Sequence, residues 1–313
     1  MIERMVIAKG LKIAAAFAAL MVVLWSTSPR AQGPGSPSDD SQARPQVWRI
    51  PSPDTATVSR AFLYRPAGAG PFRLAVIAHA STQNAIRRAQ MPQPHYRALA
   101  SALVGRGFAV LVPERPGHGS TGGPYLEDQG ACEGADYVAA GRATAASLRL
   151  ALEAMRNEPF IRRDGAIVVG HSAGGWGALA LAASDPRLIA RIVVFAPGRG
   201  GHADDRPLKV CAEQRLIAAA GTFGEGARIP VTWLVAENDS YFSPALSQQM
   251  AQAFRAGGDA VTFRMWASSG DEGHWLAERD EVRDVVKTLD LEPATGRATR
   301  RRNDNKQIEG ERQ

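Results

Sequence analysis

Two hydrophobic patterns alternate along residues 47–291. Short runs that are apolar throughout recur between longer stretches in which apolar residues stand three or four positions apart. The run at residues 74–79 has no polar position before its last residue, which is typical of a strand buried on both faces. Residues 136–157 carry apolar side chains at helical spacing and stop before a proline, which predicts a long amphipathic helix.

Alternation of such strands and helices predicts one α/β domain, with a mostly parallel sheet covered by helices on both faces. No internal repeat is present, and the glycine-rich residues 197–229 are expected to be loop. We predict strands at residues 58–65, 74–79, 108–112, 166–169, 189–195, 231–236 and 261–266, and helices at residues 96–106, 136–157, 176–183, 244–256 and 275–289.

The two ends of the chain differ from this domain. Residues 1–31 combine early cations, a short apolar stretch and a small polar segment, which is the pattern of a cleaved secretory signal. Its uncleaved form, an N-terminal membrane anchor, is the alternative. Residues 32–46 are rich in Gly, Pro and Ser and indicate a linker, and residues 292–313 indicate a disordered basic tail. We therefore expect a periplasmic or secreted protein.

The formal net charge of +6 does not indicate a nucleic-acid partner. Residues 1–31 contribute +3 and residues 293–313 contribute another +3, so the domain between them is neutral. A nucleic-acid footprint needs cations clustered on the folded surface. We expect no nucleic-acid partner, and a membrane partner only if the N-terminal segment stays attached.

The strongest chemical signal is the sequence Gly-His-Ser-Ala-Gly at residues 170–174, preceded by an apolar run and followed by small residues. In such a strand-to-helix turn, glycines are needed because a Cβ would collide, and the serine hydroxyl is exposed. Ser172 is therefore the candidate nucleophile. The N–H of Ala173, at the start of the helix, is the candidate donor to an oxyanion beside Ser172 Oγ.

A serine nucleophile needs a base, and the base needs an orienting carboxylate. In α/β sheets, functional residues collect at the carboxyl ends of the strands. Asp239 follows the strand predicted at residues 231–236, and His274 follows the strand predicted at residues 261–266. These two residues are the candidate acid and base.

Other residues fit these roles less well. Glu237 is the main rival to Asp239 because it stands nearer the end of the strand, whereas Asp271 is interpreted as a turn former. Five other histidines remain. His79 ends a strand and His118 lies in a turn, while His95 and His202 stand at ordinary polar positions. His171 flanks the candidate nucleophile, with a side chain expected to point away from it.

The cysteines and aromatic residues give weaker evidence on function. Cys132 and Cys211 are an even count in an exported chain, which favours a disulfide over two unrelated buried thiols. No metal-binding or nucleotide-binding motif occurs, so we expect neither a metal nor another cofactor. Four aromatic residues stand beside the candidates and fit either a pocket wall or core packing: Trp176, Tyr241, Phe242 and Trp275.

Together these motifs resemble the α/β-hydrolase superfamily across residues 47–291. Within it, the chain is most similar to secreted dienelactone-hydrolase-like and prolyl-oligopeptidase-like esterases. The resemblance rests on residues 77–81, 114–120, 170–175, 237–239 and 273–275. It implies an oxyanion loop in which the N–H of Ser81 or Ala80 completes the hole. Two residues depart from the family pattern: Ala80 replaces the usual glycine, and Ser172 replaces the cysteine of authentic dienelactone hydrolases.

The expected function is therefore that of an exported serine hydrolase that cleaves small-molecule carboxylic esters through an acyl-enzyme. A peptidase or amidase using the same three side chains is the enzymatic alternative. A catalytically silent exported binding protein with this fold is the alternative from another class.

Overall fold

The computed structural model describes residues 45–258 and 261–292. The predicted secretory signal, the predicted linker as far as residue 44 and the predicted basic tail from residue 293 lie outside these residues. Within the two described ranges, no helix has both the length and the apolar character needed to cross a membrane.

Eight strands form one sheet in the order β1-β2-β4-β3-β5-β6-β7-β8. The pairs β1–β2 and β2–β4 are antiparallel, and every other neighbouring pair is parallel. The predicted mostly parallel sheet is thus confirmed. The strands are β1 Gln46–Ile50, β2 Ser59–Tyr64, β3 Arg73–Ala78, β4 Phe108–Pro113, β5 Ala166–His171, β6 Ile189–Phe195, β7 Val231–Ala236 and β8 Val261–Trp266.

Helices cover both faces of the sheet, as the sequence predicts. On β3, Val76 packs into the core beneath α3 to α6, whereas Ile77 packs into the core beneath α2 and α7. Burial on both faces explains why this strand has no polar alternation. The helices are α1 Ala85–Ala89, α2 Arg97–Val104, α3 Tyr137–Arg156, α4 Ala173–Leu179, α5 Glu213–Gly224, α6 Pro244–Gly257 and α7 Val282–Thr288.

The largest error concerns residues 197–229, which we predicted to be loop but which contain α5. This helix buries Leu216, Ala219, Ala220 and Phe223, a helical spacing that the glycines obscure in the sequence. Gly224 is required by close packing rather than by a loop, because a Cβ there would lie 1.9 Å from the carbonyl oxygen of Phe254 in α6.

Four smaller differences concern single elements. Strand β1 and helix α1 were not predicted, since each has only five residues and gives too short a pattern to recognise. The single closing helix predicted at residues 275–289 is a 3-10 helix, Gly273–Glu278, followed by α7. The helix predicted after Ser172 begins at Ala173, as expected, but ends at Leu179 rather than at residue 183.

Candidate active site

Ser172 lies in a sharp turn between β5 and α4. Its backbone has φ 52° and ψ −120°, a strained conformation for a residue with a Cβ. The flanking glycines are required by space: a Cβ on Gly170 would lie 2.5 Å from Gly175 Cα, and one on Gly174 would lie 2.2 Å from the oxygen of Ala78. The local sequence therefore folds into the turn geometry that presents a serine hydroxyl.

The candidate acid and base form a buried pair. His274 Nδ1 lies 3.2 Å from Asp239 Oδ2, and both side chains are almost inaccessible to solvent. Burial lowers the pKa of His274, while its hydrogen bond to Asp239 acts in the opposite direction. The rival Glu237 has an exposed side chain and follows β7 directly. The geometry favours Asp239 over Glu237 as the partner of His274.

Backbone hydrogen bonds orient both residues. Asp239 Oδ1 accepts from the N–H groups of Tyr241 and Phe242 at 2.8 and 2.9 Å, which leaves Oδ2 for the imidazole. Glu272 Oε1 accepts from the N–H of Ser240 at 3.1 Å and from the N–H of His274 at 3.0 Å. Glu272 thus joins the loop that carries the acid to the loop that carries the base, a role that sequence analysis did not identify.

An aromatic stack supports the imidazole of His274. The Tyr241 ring lies parallel to it, with centroids 4.2 Å apart, and His202 stacks on the other face of Tyr241 at 3.5 Å. Trp275 approaches His274 edge-on at 5.4 Å. The sequence indicated that His202 stands at an ordinary loop position. The structure shows instead that its ring forms part of this stack.

Ser172 and His274 line a cavity of about 570 Å³, and Tyr241, Phe242 and Trp275 form one of its walls. Trp176, by contrast, belongs to the core. Among residues 45–258 and 261–292, no hydrogen bond joins Ser172 Oγ to the imidazole of His274. Catalytic hydrogen bonds are often long in structures without substrate.

The candidate oxyanion donors also lie at this cavity, which Ala80, Ser81 and Ala173 all line. The N–H of Ala80 is engaged, because it donates to Tyr96 Oη at 3.0 Å. Of the two residues that the sequence leaves open, this bond makes Ser81 a better candidate than Ala80 to act with Ala173.

His171 connects this region to the base. Its Nδ1 lies 2.9 Å from Tyr96 Oη, and its Nε2 lies 2.8 Å from the carbonyl oxygen of His274. A carbonyl oxygen can only accept, so Nε2 carries a hydrogen and donates it. The side chain thus holds the backbone of His274, which agrees with the expectation that it would not act on Ser172. Tyr96 was not identified from the sequence.

Beneath the cavity lies a buried ionic cluster that sequence analysis missed. Glu127 is bound on both sides, by Arg115 and by Arg199, and all three side chains are buried. Burial opposes ionisation of Glu127, but the two guanidinium groups outweigh it and hold its pKa well below the usual range. Such residues are too far apart in sequence to signal a cluster.

Cys132 and Cys211 form a disulfide, as the sequence analysis favoured. Both residues line the cavity, and the bond ties the connection before α3 to the connection between β6 and α5. The second connection carries His202, which touches Tyr241. The disulfide therefore fixes a wall of the cavity.

With this geometry established, comparison with known proteins assigns the chain to a family. Residues 75–303 match the alpha/beta hydrolase family, so the chain belongs to that family. No curated protein matches the chain.

Several solved structures share the fold. A cold-adapted esterase from an Arctic intertidal metagenomic library is 19% identical, with 83% of this chain and 100% of that chain covered and a TM-score of 0.53. A Pyrococcus furiosus esterase is 14% identical, with 80% and 94% covered and a TM-score of 0.54. A Xanthomonas campestris α/β serine hydrolase described as lacking a lid is 14% identical, with 81% and 94% covered and a TM-score of 0.51. At these identities, the likeness concerns the fold.

Proposed function

We propose that this α/β hydrolase is an exported serine hydrolase that cleaves carboxylic esters of small molecules. The observation that carries the proposal is the convergence of three groups: Ser172 on its strained turn, and the buried His274–Asp239 pair at the same cavity. A cavity of about 570 Å³ suits a small molecule, since ligand pockets typically measure about 300–1,000 Å³.

In the proposed reaction, Ser172 Oγ attacks the ester carbonyl carbon while its proton passes to His274 Nε2. The resulting oxyanion accepts hydrogen bonds from the N–H groups of Ala173 and Ser81. The imidazolium of His274 then returns its proton to the leaving oxygen, and the C–O bond breaks to release the alcohol. Asp239 holds Nδ1–H throughout and takes up no proton.

Water completes the cycle. A water molecule attacks the carbonyl carbon of the acyl-enzyme and gives one proton to His274 Nε2. The second tetrahedral intermediate collapses as that proton moves to Ser172 Oγ, and the carboxylic acid leaves. These steps restore the serine and the neutral imidazole, so no cofactor is consumed.

The subclass of esterase and the export of the chain are also proposals. The resemblance to secreted dienelactone-hydrolase-like and prolyl-oligopeptidase-like esterases supports an ester substrate, and Ser172 in place of a cysteine argues against dienelactone itself. The disulfide supports folding in an oxidising compartment, since such bonds persist mainly in exported proteins.

Kinetics with a panel of 4-nitrophenyl esters of graded acyl length test this function. The purified chain without residues 1–31 is compared with its Ser172→Ala variant and with an amide analogue of the best ester. Ester turnover that is lost in the variant supports the proposal. Turnover that survives in the variant, or preference for the amide, contradicts it.

A further inference from the structure

A second serine lines the same cavity and is hydrogen-bonded to a histidine. Ser81 lies in the connection between β3 and α1 and lines the cavity with Ser172. Its Oγ lies 2.7 Å from His118 Nε2. We propose that the Ser81 hydroxyl is a hydrogen-bond acceptor that selects esters carrying a hydroxyl or N–H group near the scissile carbonyl, an inference that rests on the proposed ester hydrolysis.

The position of the hydrogen on His118 decides what its bond to Ser81 can be. Its Nδ1 lies 3.1 Å from the carbonyl oxygens of both Arg115 and Pro116, and carbonyl oxygens only accept, so Nδ1 carries a hydrogen. Burial lowers the pKa of His118 to about 4, so its imidazole is neutral near pH 7. A neutral imidazole with its hydrogen on Nδ1 has only a lone pair at Nε2.

The hydroxyl direction of Ser81 follows from that lone pair. Since His118 Nε2 can only accept, the hydrogen of Ser81 Oγ points at it, and the hydroxyl has no hydrogen left for the cavity. What Ser81 Oγ offers a substrate is its own lone pairs. A substrate group that donates a hydrogen bond is matched there, and a group that only accepts is not.

The surroundings of Ser81 agree with a polar substrate group. Thr82, Gln83, Asn84 and Arg87 continue the same wall of the cavity, opposite in character to the aromatic residues around His274. A polar substituent placed on this wall keeps hydrogen-bonding partners as the ester enters. An alkyl substituent there would desolvate polar groups without replacing their bonds, which is unfavourable.

Matched pairs of esters, in which a methyl group replaces the hydroxyl hydrogen in one member, test the inference. On the acyl side, methyl 3-hydroxybutanoate is compared with methyl 3-methoxybutanoate, and on the alcohol side 2-hydroxyethyl butanoate with 2-methoxyethyl butanoate. We expect kcat/KM to favour the hydroxyl member of at least one pair by roughly tenfold, the worth of one hydrogen bond. In Ser81→Ala this ratio falls to about threefold or less, whatever happens to either rate, and Ser81→Thr, which keeps a hydroxyl, preserves it.

Equal rates for both members of both pairs in the wild type, or an unchanged ratio in Ser81→Ala, would overturn the inference. If the wild type hydrolyses none of these esters, the 4-nitrophenyl panel decides whether the proposed function fails, and the inference itself is tested by binding. Calorimetric titration of the Ser172→Ala variant with the same esters then decides it: tighter binding of a hydroxyl member, lost when Ser81→Ala is added, supports the acceptor role, and equal binding contradicts it. Circular dichroism checks that each variant is folded.

Discussion

Two serines line one cavity: Ser172, which we pair with His274 as its proposed base, and Ser81, which is bonded to His118. The two histidines differ in what Nδ1 of each ring contacts. His274 Nδ1 faces the carboxylate of Asp239, whereas His118 Nδ1 faces two backbone carbonyls. Only the carboxylate carries a full negative charge that stabilises an imidazolium formed by proton uptake. The same residue types are therefore suited to proton transfer in one pair and to a fixed hydrogen-bond direction in the other.

The two serines differ in their backbones as well. Ser172 is held at φ 52° in a turn whose glycines cannot be replaced without collision, whereas Ser81 does not adopt a positive φ. Strain of this kind costs of order 1–3 kcal/mol and persists where the surrounding structure imposes it. The acid behind the base and the turn beneath the serine are therefore what distinguish Ser172, the proposed nucleophile, from Ser81.

The largest expected effect separates the two serines. Ser172→Ala removes the proposed nucleophile, and we expect ester turnover to fall by roughly 10⁴- to 10⁶-fold. Ser81→Ala keeps its backbone N–H, and we expect a loss of about tenfold or less. Steady-state kinetics on one plain ester measure both. Equal losses in the two variants would remove the distinction between the pairs.

The carboxylate behind His274 is tested next. Asp239→Asn keeps the shape but favours the wrong imidazole tautomer, so kcat is expected to drop by roughly 10⁴-fold. The matched control is Glu237→Gln, since that side chain is exposed and we expect it to change kcat little. If the two results are exchanged, the acid is Glu237.

Removal of the disulfide is expected to act on stability and on one side of the cavity. The bond spans 79 positions of sequence, and its loss in a Cys132→Ala/Cys211→Ala variant is expected to cost roughly 3–5 kcal/mol in the free energy of unfolding. Denaturant titration measures this loss of stability.

The disulfide also affects one side of the cavity. The connection between β6 and α5 that it ties touches Tyr241 through His202, so the rate on a plain ester should fall while the preference for hydroxyl esters stays. Wild-type stability in the variant would contradict this account.

The aromatic stack predicts a smaller change. The face of Tyr241 stabilises the imidazolium of His274, so Tyr241→Leu is expected to lower kcat by up to about tenfold and to shift the acid limb of kcat/KM downward by roughly half a pH unit. Tyr241→Phe keeps the ring and serves as the control. A lower rate in Tyr241→Leu with an unmoved acid limb would mean that the ring acts only by packing.

The smallest expected effect is a displacement of the acid limb in the pH profile of kcat/KM of the wild type. Burial lowers the pKa of His274 from its ordinary value of 6.5. In the proposed reaction the imidazole must be neutral to accept the proton of Ser172. The neutral form therefore persists to lower pH, and the acid limb of kcat/KM is expected below pH 6.5. A limb above that value would mean that Asp239 outweighs burial.

The sequence was informative where short-range constraints dominate. The turn at Ser172 could be predicted because it needs glycines at fixed spacing, and the sheet could be predicted because strands buried on both faces are apolar throughout. The oxyanion donor could not be chosen, because the bond between Ala80 and Tyr96 depends on packing between distant segments. Glu127 gave no signal for the same reason, since its partner Arg199 is 72 positions away.

The central claim is that Ser172, and not Ser81, is the nucleophile. The most direct measurement is to treat the folded protein with a fluorophosphonate probe, digest it and locate the modified residue by mass spectrometry. The account predicts a single adduct on Ser172 that is absent when Asp239→Asn or His274→Ala is treated under the same conditions. An adduct on Ser81, or no adduct on Ser172 in the folded wild type, would contradict it.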